Sequence, residues 1–202
     1  MLSLDWGIPC PAPAKLNLFL HVTGKRSDGY HTIQTCFRLI NLYDMLTFYP
    51  RSDGQVILHS EIPGTSPAQE LSVRAATLLR QSAGIRKGVD IEIKKVIPIG
   101  GGLGGGSSNA ATTLLVLNRL WNINWNRATL QKMAAALGAD VPFFIFGEDA
   151  FADGIGDHLQ PIAIPQAWYV VLFPPVHVST ARIFSYPALE RSCRPIQASE
   201  AL

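Results

Sequence analysis

The segment PIGGGLGGGSSN (98–109) concentrates the residues best suited to binding an anion. Six of the nine residues from Gly100 to Ser108 are glycine. Glycines at a strand-to-helix junction let backbone N–H groups approach a bound group closely, because no Cβ intervenes. The helix that follows adds partial positive charge at its N-terminus, where phosphate is favoured. The candidate cradle is Pro98, Ile99, Gly100, Gly101, Gly102, Leu103, Gly104, Gly105, Gly106, Ser107 and Ser108. Ser107 and Ser108 can cap the helix or bond a phosphate, and Ser107 is the candidate ligand for Mg2+. Two familiar phosphate loops fit poorly. Gly101 and Gly106 have the spacing of GxxxxGK[ST], but Ser107 stands where the lysine is needed. Gly100, Gly102 and Gly105 satisfy GxGxxG, yet no Asp or Glu follows until Asp140, so nothing is placed to hold a ribose. A phosphate loop without a lysine and a plain glycine linker both remain open on these residues. The well-patterned strand and helix on either side argue against a linker.

The elements around the loop read as follows. Val89, Ile91, Ile93 and Ile97 mark a strand before it, and a helix runs from about Ser107 to Leu120 after it. At residues 14–23, Leu16, Leu18, Leu20 and Val22 alternate with Lys15, Asn17, His21 and Thr23, which predicts a strand with its leucine side buried. GKRSDG (24–29) is a turn or short loop, followed by a strand over 32–40. Residues 45–49 and 55–59 flank RSDG (51–54) and predict a hairpin. Leu71, Ala75, Leu78 and Leu79 predict a helix that Gly84 ends. A third helix is capped by Asn126, carries Leu130, Met133, Ala134 and Leu137 on one face, and stops before Gly138. Short strands are expected at 143–146, 150–152 and 168–173. Strands and helices without regular βα alternation give an α+β fold.

Bulk properties narrow the function classes. The 202 residues suffice for one large domain or two small ones, and 48% are hydrophobic, enough for a core. No apolar run reaches the roughly 18 residues of a membrane-spanning helix. Residues 1–14 carry no Lys or Arg and so lack the basic start of a secretory signal. The net charge of +2 is dispersed, without the basic stripe of a nucleic-acid binder. Cys10, Cys36 and Cys193 are odd in number and not in CxxC spacing, which argues against a disulfide framework or a zinc site. The setting expected from this is the cytoplasm, without nucleic-acid or membrane partners.

Three separated segments carry a family resemblance. PIGGGLGGGSSNAA resembles the phosphate-loop motif of the GHMP kinases, which phosphorylate small molecules such as galactose, homoserine and mevalonate. PAPAKLNLFLHVTGKRSDGYHTIQT (11–35) and LGADVPFFIFGEDAFADGIGDHLQPI (137–162) most resemble the branch acting on 4-diphosphocytidyl-2-C-methyl-D-erythritol. The resemblance covers about residues 10–186. It implies an N-terminal ribosomal-protein-like α+β domain over 1–165 and the start of a ferredoxin-like C-terminal domain over 166–202, with the active site between them. It implies transfer of the ATP γ-phosphoryl group to the 2-hydroxyl of that cytidine diphosphate conjugate, with Mg2+, in the non-mevalonate route to isoprenoid precursors.

By the same resemblance Lys15 and Asp140 are the catalytic pair, and Lys95 lies near the nucleotide. Tyr30, His31 and Phe184, with Thr180 nearby, recognise the cytidine substrate. The residue types suit these roles. A carboxylate can take the proton of an attacking hydroxyl, and an ammonium stabilises charge on the moving phosphoryl group. Aromatic rings stack on a flat base while an imidazole reads its edge. Glu70 departs from the family, which usually has Asn there, so that contact is not carried over, and an anion near the nucleotide is expected to weaken ATP binding or to shift how the base is held. Family members also continue past the position of Leu202, which implies a chain with weak or no turnover on its own. The alternatives are another GHMP small-molecule kinase or a non-catalytic nucleotide-binding fragment. Competition by cytidine nucleotides separates the first of these from the branch named above.

Overall fold

The computed structural model describes residues 5–174 and 180–201; the side chains of Thr180 and Ala181 fall outside it. Its centre is a long antiparallel pair, β1 (Cys10–Lys25) and β2 (His31–Arg51). The opposite edge of β2 is shared. Residues 45–51 pair antiparallel with β4 (Gly88–Lys94), and residues 35–37 with β5 (Ala150–Asp153). β3 (Val56–Leu58) runs parallel to β4, and β6 (His158–Pro161) antiparallel to β5. The six-stranded order is β3-β4-β2-β5-β6, with β1 on β2.

Five helices accompany this sheet among the described residues: α1 (Leu71–Ser82), α2 (Gly105–Leu120), α3 (Arg127–Ala134), α4 (Val141–Phe146) and α5 (Thr180–Ser185). α2 packs against α1, α4, β1 and β2. Its Ala110, Ala111, Leu114 and Leu117 are buried with Leu79 of α1, Leu46 and Phe48 of β2, and Phe143 and Ile145 of α4. Small residues on α2 allow this close approach on several sides. The α+β class read from the sequence is what the chain adopts. Among the described residues, no helix is long and apolar enough to cross a membrane.

Several local expectations change. Residues 32–40 and 45–49 belong to one strand, β2. Residues 45–49 and 55–59 do not form a hairpin, because β4 lies between β2 and β3. β3, α1 and β4 make a parallel crossover instead, which gives buried Ala75, Ala76 and Leu79 of α1 a sheet face to cover. Gly88 permits the join: a Cβ there would lie 2.4 Å from the Gln55 carbonyl oxygen. Residues 143–146 are helical. An apolar run of this length suits a buried helix as well as a strand, and Pro142 in the first turn and left-handed Gly147 at the end decide for the helix. α3 stops at Ala134, earlier than expected, although Asn126 caps it as read, accepting from the Thr129 N–H at 2.9 Å. Residues 168–173 are extended but pair with no described strand, and Trp168, Val170 and Leu172 face solvent.

The faces of β1 also depart from simple alternation. Lys15 is buried, whereas Leu20 is exposed. Register shifts between Pro13 and Ala14 and between Asn17 and Leu20 reset the pattern, as β-bulges do. They turn a lysine inward at the point where β1 meets the glycine loop.

Candidate active site

The glycine run is a folded loop, not a linker. Leu103 is its plug, buried with Ala14 and Ile97 and packed by Leu16, Ile40 and Leu42. The Lys15 backbone N–H donates to the Leu103 carbonyl at 3.0 Å, tying the loop to β1. Gly100, Gly102 and Gly104 take φ values of 79°, 72° and 73°, so every second residue is left-handed. Alternation of this kind turns successive N–H groups toward one concave side and makes an anion-binding nest. A cavity of about 240 Å³ lies over the loop, lined also by Thr65, Glu70, Leu71, Lys95 and Asn109. Ser108 Oγ and Asn109 Oδ1 are buried and have no hydrogen-bond partner among the described residues. Buried polar atoms are usually satisfied, so this pair at the start of α2 fits a site that receives a polar group. The glycine nest, the N-terminus of a 16-residue helix and these two atoms together fit the phosphates of a nucleotide.

Lys15 and Asp140 are 125 positions apart in sequence and 3.3 Å apart in the structure, Nζ to Oδ2. β1 brings the lysine to the loop, and the turn before α4 brings the aspartate. Asp140 stands at the helix start but makes no capping hydrogen bond, so its carboxylate is left for Lys15. Nζ carries three protons. One goes to Asn17 Oδ1, Asp140 is the ion-pair partner, and the ring of Phe37 lies 5.2 Å from Nζ. Asn17 is itself oriented by donating to Thr35 Oγ1 at 2.8 Å. Sequence reading missed Asn17, although its place two residues after Lys15 on the same strand puts both on one face.

Asp44 was also missed. It is fully buried in β2, pairs with Lys95, and accepts from the Val96 and Ile97 N–H groups at 2.7 and 2.9 Å. This carboxylate thus fixes the chain entering the loop, and it holds Lys95 against Gly105, whose Cβ would lie 3.1 Å from Nζ. A lone acid within LINLYDMLTF was the available signal. Glu70, the expected hindrance to an anion, lines this cavity and is also engaged by a helix. Its carboxylate caps α1, accepting from the Ser72 N–H and from the Val73 N–H at 3.3 Å. The helix N-terminus offsets its charge.

His31 and Phe184 come together at the other end of the β1–β2 pair, their rings stacked 5.1 Å apart between centroids. Burial, and then the nearby charges of Arg191 and Lys25, push the His31 imidazole below its ordinary value. The Tyr30 side chain is exposed beside them. The Thr180 side chain lies outside the described residues.

Gly104 sits where loop, β1 and α4 meet. A Cβ there would lie 2.7 Å from the Phe144 ring and 3.1 Å from Lys15 Cγ, at a φ of 73°. A valine must therefore be left-handed, which β-branched residues avoid, and must displace both neighbours. Gly104→Val is expected to lower stability by about 2–4 kcal/mol, summing backbone strain and overpacking, and to abolish nucleotide binding. Denaturant melts and ADP titration check this; a variant as stable as the parent would show that the loop is loose here.

A glycine nest on a helix N-terminus, with an inward lysine and the aspartate that precedes α4 beside it, fits the binding of a phosphate group. Residues 70–148 match the family described as GHMP kinases N terminal domain. It is similar to the 4-diphosphocytidyl-2-C-methyl-D-erythritol kinase of Nitrosospira multiformis, 58% identical over 190 residues that span 94% of this chain and 65% of that protein. The enzyme of the same name from Cupriavidus metallidurans is 56% identical over 183 residues, 91% of this chain and 63% of that protein. The chain thus spans a little under two thirds of these relatives' length. Among solved structures, a 4-(cytidine 5'-diphospho)-2C-methyl-D-erythritol kinase superposes with a TM-score of 0.78 at 42% identity, over 88% of this chain and 63% of that one. The mevalonate kinase of Methanococcus jannaschii shares the fold, with a TM-score of 0.58 at 15% identity over 80% of this chain and 57% of that one.

Proposed function

We propose that this chain supplies the nucleotide site and the catalytic pair of a kinase that phosphorylates the 2-hydroxyl of 4-diphosphocytidyl-2-C-methyl-D-erythritol with ATP. The observation that carries the reading is the Lys15–Asp140 pair, 3.3 Å apart and tied through β1 to the glycine nest. The names and identities of the relatives support the choice of substrate.

In this reading the N–H groups of residues 100–106 and the start of α2 hold the ATP phosphates, with Lys95 beside them. Ser107 and Ser108 offer hydroxyls to the phosphates or to an accompanying Mg2+, which would neutralise charge on the transferring group. Asp140 accepts the proton of the substrate hydroxyl as the new oxygen–phosphorus bond forms and the bond to the bridging oxygen of ADP breaks. Lys15 pairs with Asp140 and offers its positive charge to the moving phosphoryl group. His31, Phe184 and Tyr30 take the cytidine end. Residues 1–165 form the nucleotide-binding domain and 166–202 begin a second one, and the enzyme acts in the cytoplasm.

The test is ADP release with Mg-ATP, with and without the cytidine diphosphate substrate. Substrate-dependent ADP is expected, either from the chain alone or after it is joined to the C-terminal third of the Nitrosospira relative. Silence from both forms would overturn the substrate assignment.

A further inference from the structure

Arg191 is bound in an unusual way for an arginine in an irregular segment. Its Nη1 donates to the Leu189 carbonyl at 2.9 Å, and its Nη2 to the carbonyls of Phe184 and Tyr186 at 3.0 and 2.7 Å. Its Nε lies 3.2 Å from His31 Nε2. One guanidinium thus ties the end of α5 to the first residue of β2. The following chain is fastened to the same sheet. The Cys193 N–H donates to the Val22 carbonyl at 3.1 Å, and Gln34 exchanges two hydrogen bonds with the Ile196 backbone, at 2.9 and 3.1 Å.

The contact with His31 has a chemical consequence. Guanidinium has only donors, and its charge is fixed. His31 Nε2 must therefore accept, and the ring is neutral with its proton on Nδ1. The second cation nearby, Lys25, faces His31 across the β1–β2 pair and also disfavours a charged imidazole. Phe184 covers one side of the ring. Nδ1–H is left as a fixed donor beside an aromatic face.

We infer that Arg191 is a positioning residue that sets the His31 tautomer and thereby selects cytosine over uracil. This rests on the reading that His31 and Phe184 take the cytidine end of the substrate. Cytosine N3 is an acceptor, whereas uracil carries N3–H. A fixed Nδ1–H donor satisfies the first and meets a donor on the second, so uracil forfeits a hydrogen bond that cytosine makes.

The experiment uses the 202-residue chain. Imidazole 15N chemical shifts of ligand-free protein at neutral pH report the His31 tautomer, and calorimetric titrations with CDP, UDP and ADP report binding. We expect His31 protonated at Nδ1 and CDP bound about tenfold more tightly than UDP, one unpaired donor being a difference of that order. In Arg191→Met the His31 signals move to a mixture of tautomers and the preference for CDP falls to about twofold or less, while ADP affinity is unchanged. A wild-type His31 protonated at Nε2, or a CDP preference that survives the substitution with His31 unaltered, overturns the inference, and the wild-type measurement decides even where the variant does not fold. An Nδ1 proton without CDP binding would leave the tautomer assignment intact while removing cytidine from this site, so the two ideas fail separately.

Discussion

Asp140→Asn is expected to lower turnover by about a thousandfold, within the range a positioned acid or base contributes, while ADP binds within about twofold of the parent. The substitution keeps the shape of the side chain and removes its charge and basicity. The folded state should tolerate it. The Asp140 side chain is one-third exposed, makes no cap to α4, and has Lys15 as its ionic partner. Lys15 keeps Asn17, the Phe37 ring and its buried stem. The measurement is kcat for ADP release in the form of the chain that turns over, with ADP affinity and melting temperature taken alongside. Loss of turnover, binding and stability together would make Asp140 a structural residue.

The second large effect is on stability. Asp44→Ala is expected to cost about 3–5 kcal/mol, the usual result of removing one partner of a buried ion pair. The substitution leaves Lys95 without its carboxylate and two backbone N–H groups, of Val96 and Ile97, without an acceptor. That is a large part of the roughly 5–15 kcal/mol that holds a typical domain together. Asp44→Ala combined with Lys95→Met should recover part of the loss, because the unpaired cation is then gone, but not the part due to the two N–H groups. Equilibrium urea unfolding of the three variants checks this. A single-variant loss under about 1 kcal/mol would mean that water reaches this carboxylate and that the loop entry is held by Leu103 alone.

Both predictions concern residues that differ in how they could be read. The role proposed for Asp140 was legible only through resemblance, since nothing in ADVPF separates a catalytic aspartate from a turn residue. Asp44 carries no motif. Its role depends on β4 lying beside β2, and the apparent RSDG hairpin at 51–54 concealed that arrangement. Glu70 shows the reverse case. Its charge suggested only a nearby nucleotide, and the structure shows it lining the cavity while also capping the α1 N-terminus.

What the sequence determined by itself is local. The glycine loop, the helix after it, the Asn126 cap, the α1 pattern and the α+β class follow from periodicity and from the conformations that Gly, Pro and Asn allow, all of which act within a few residues. Tertiary structure alone decided which side of β1 faces inward, because bulges reset a period-two pattern without leaving a sign in the residue types. It also decided that VPFFIF is a helix and that β4 separates β2 from β3, since buried apolar runs take whichever form the neighbouring layer can cover. The pairings of Lys15 with Asp140, Lys95 with Asp44 and His31 with Arg191 join residues 125, 51 and 160 positions apart. Charge and hydrogen bonding act across space, so contacts of this range exist only once the sheet has closed.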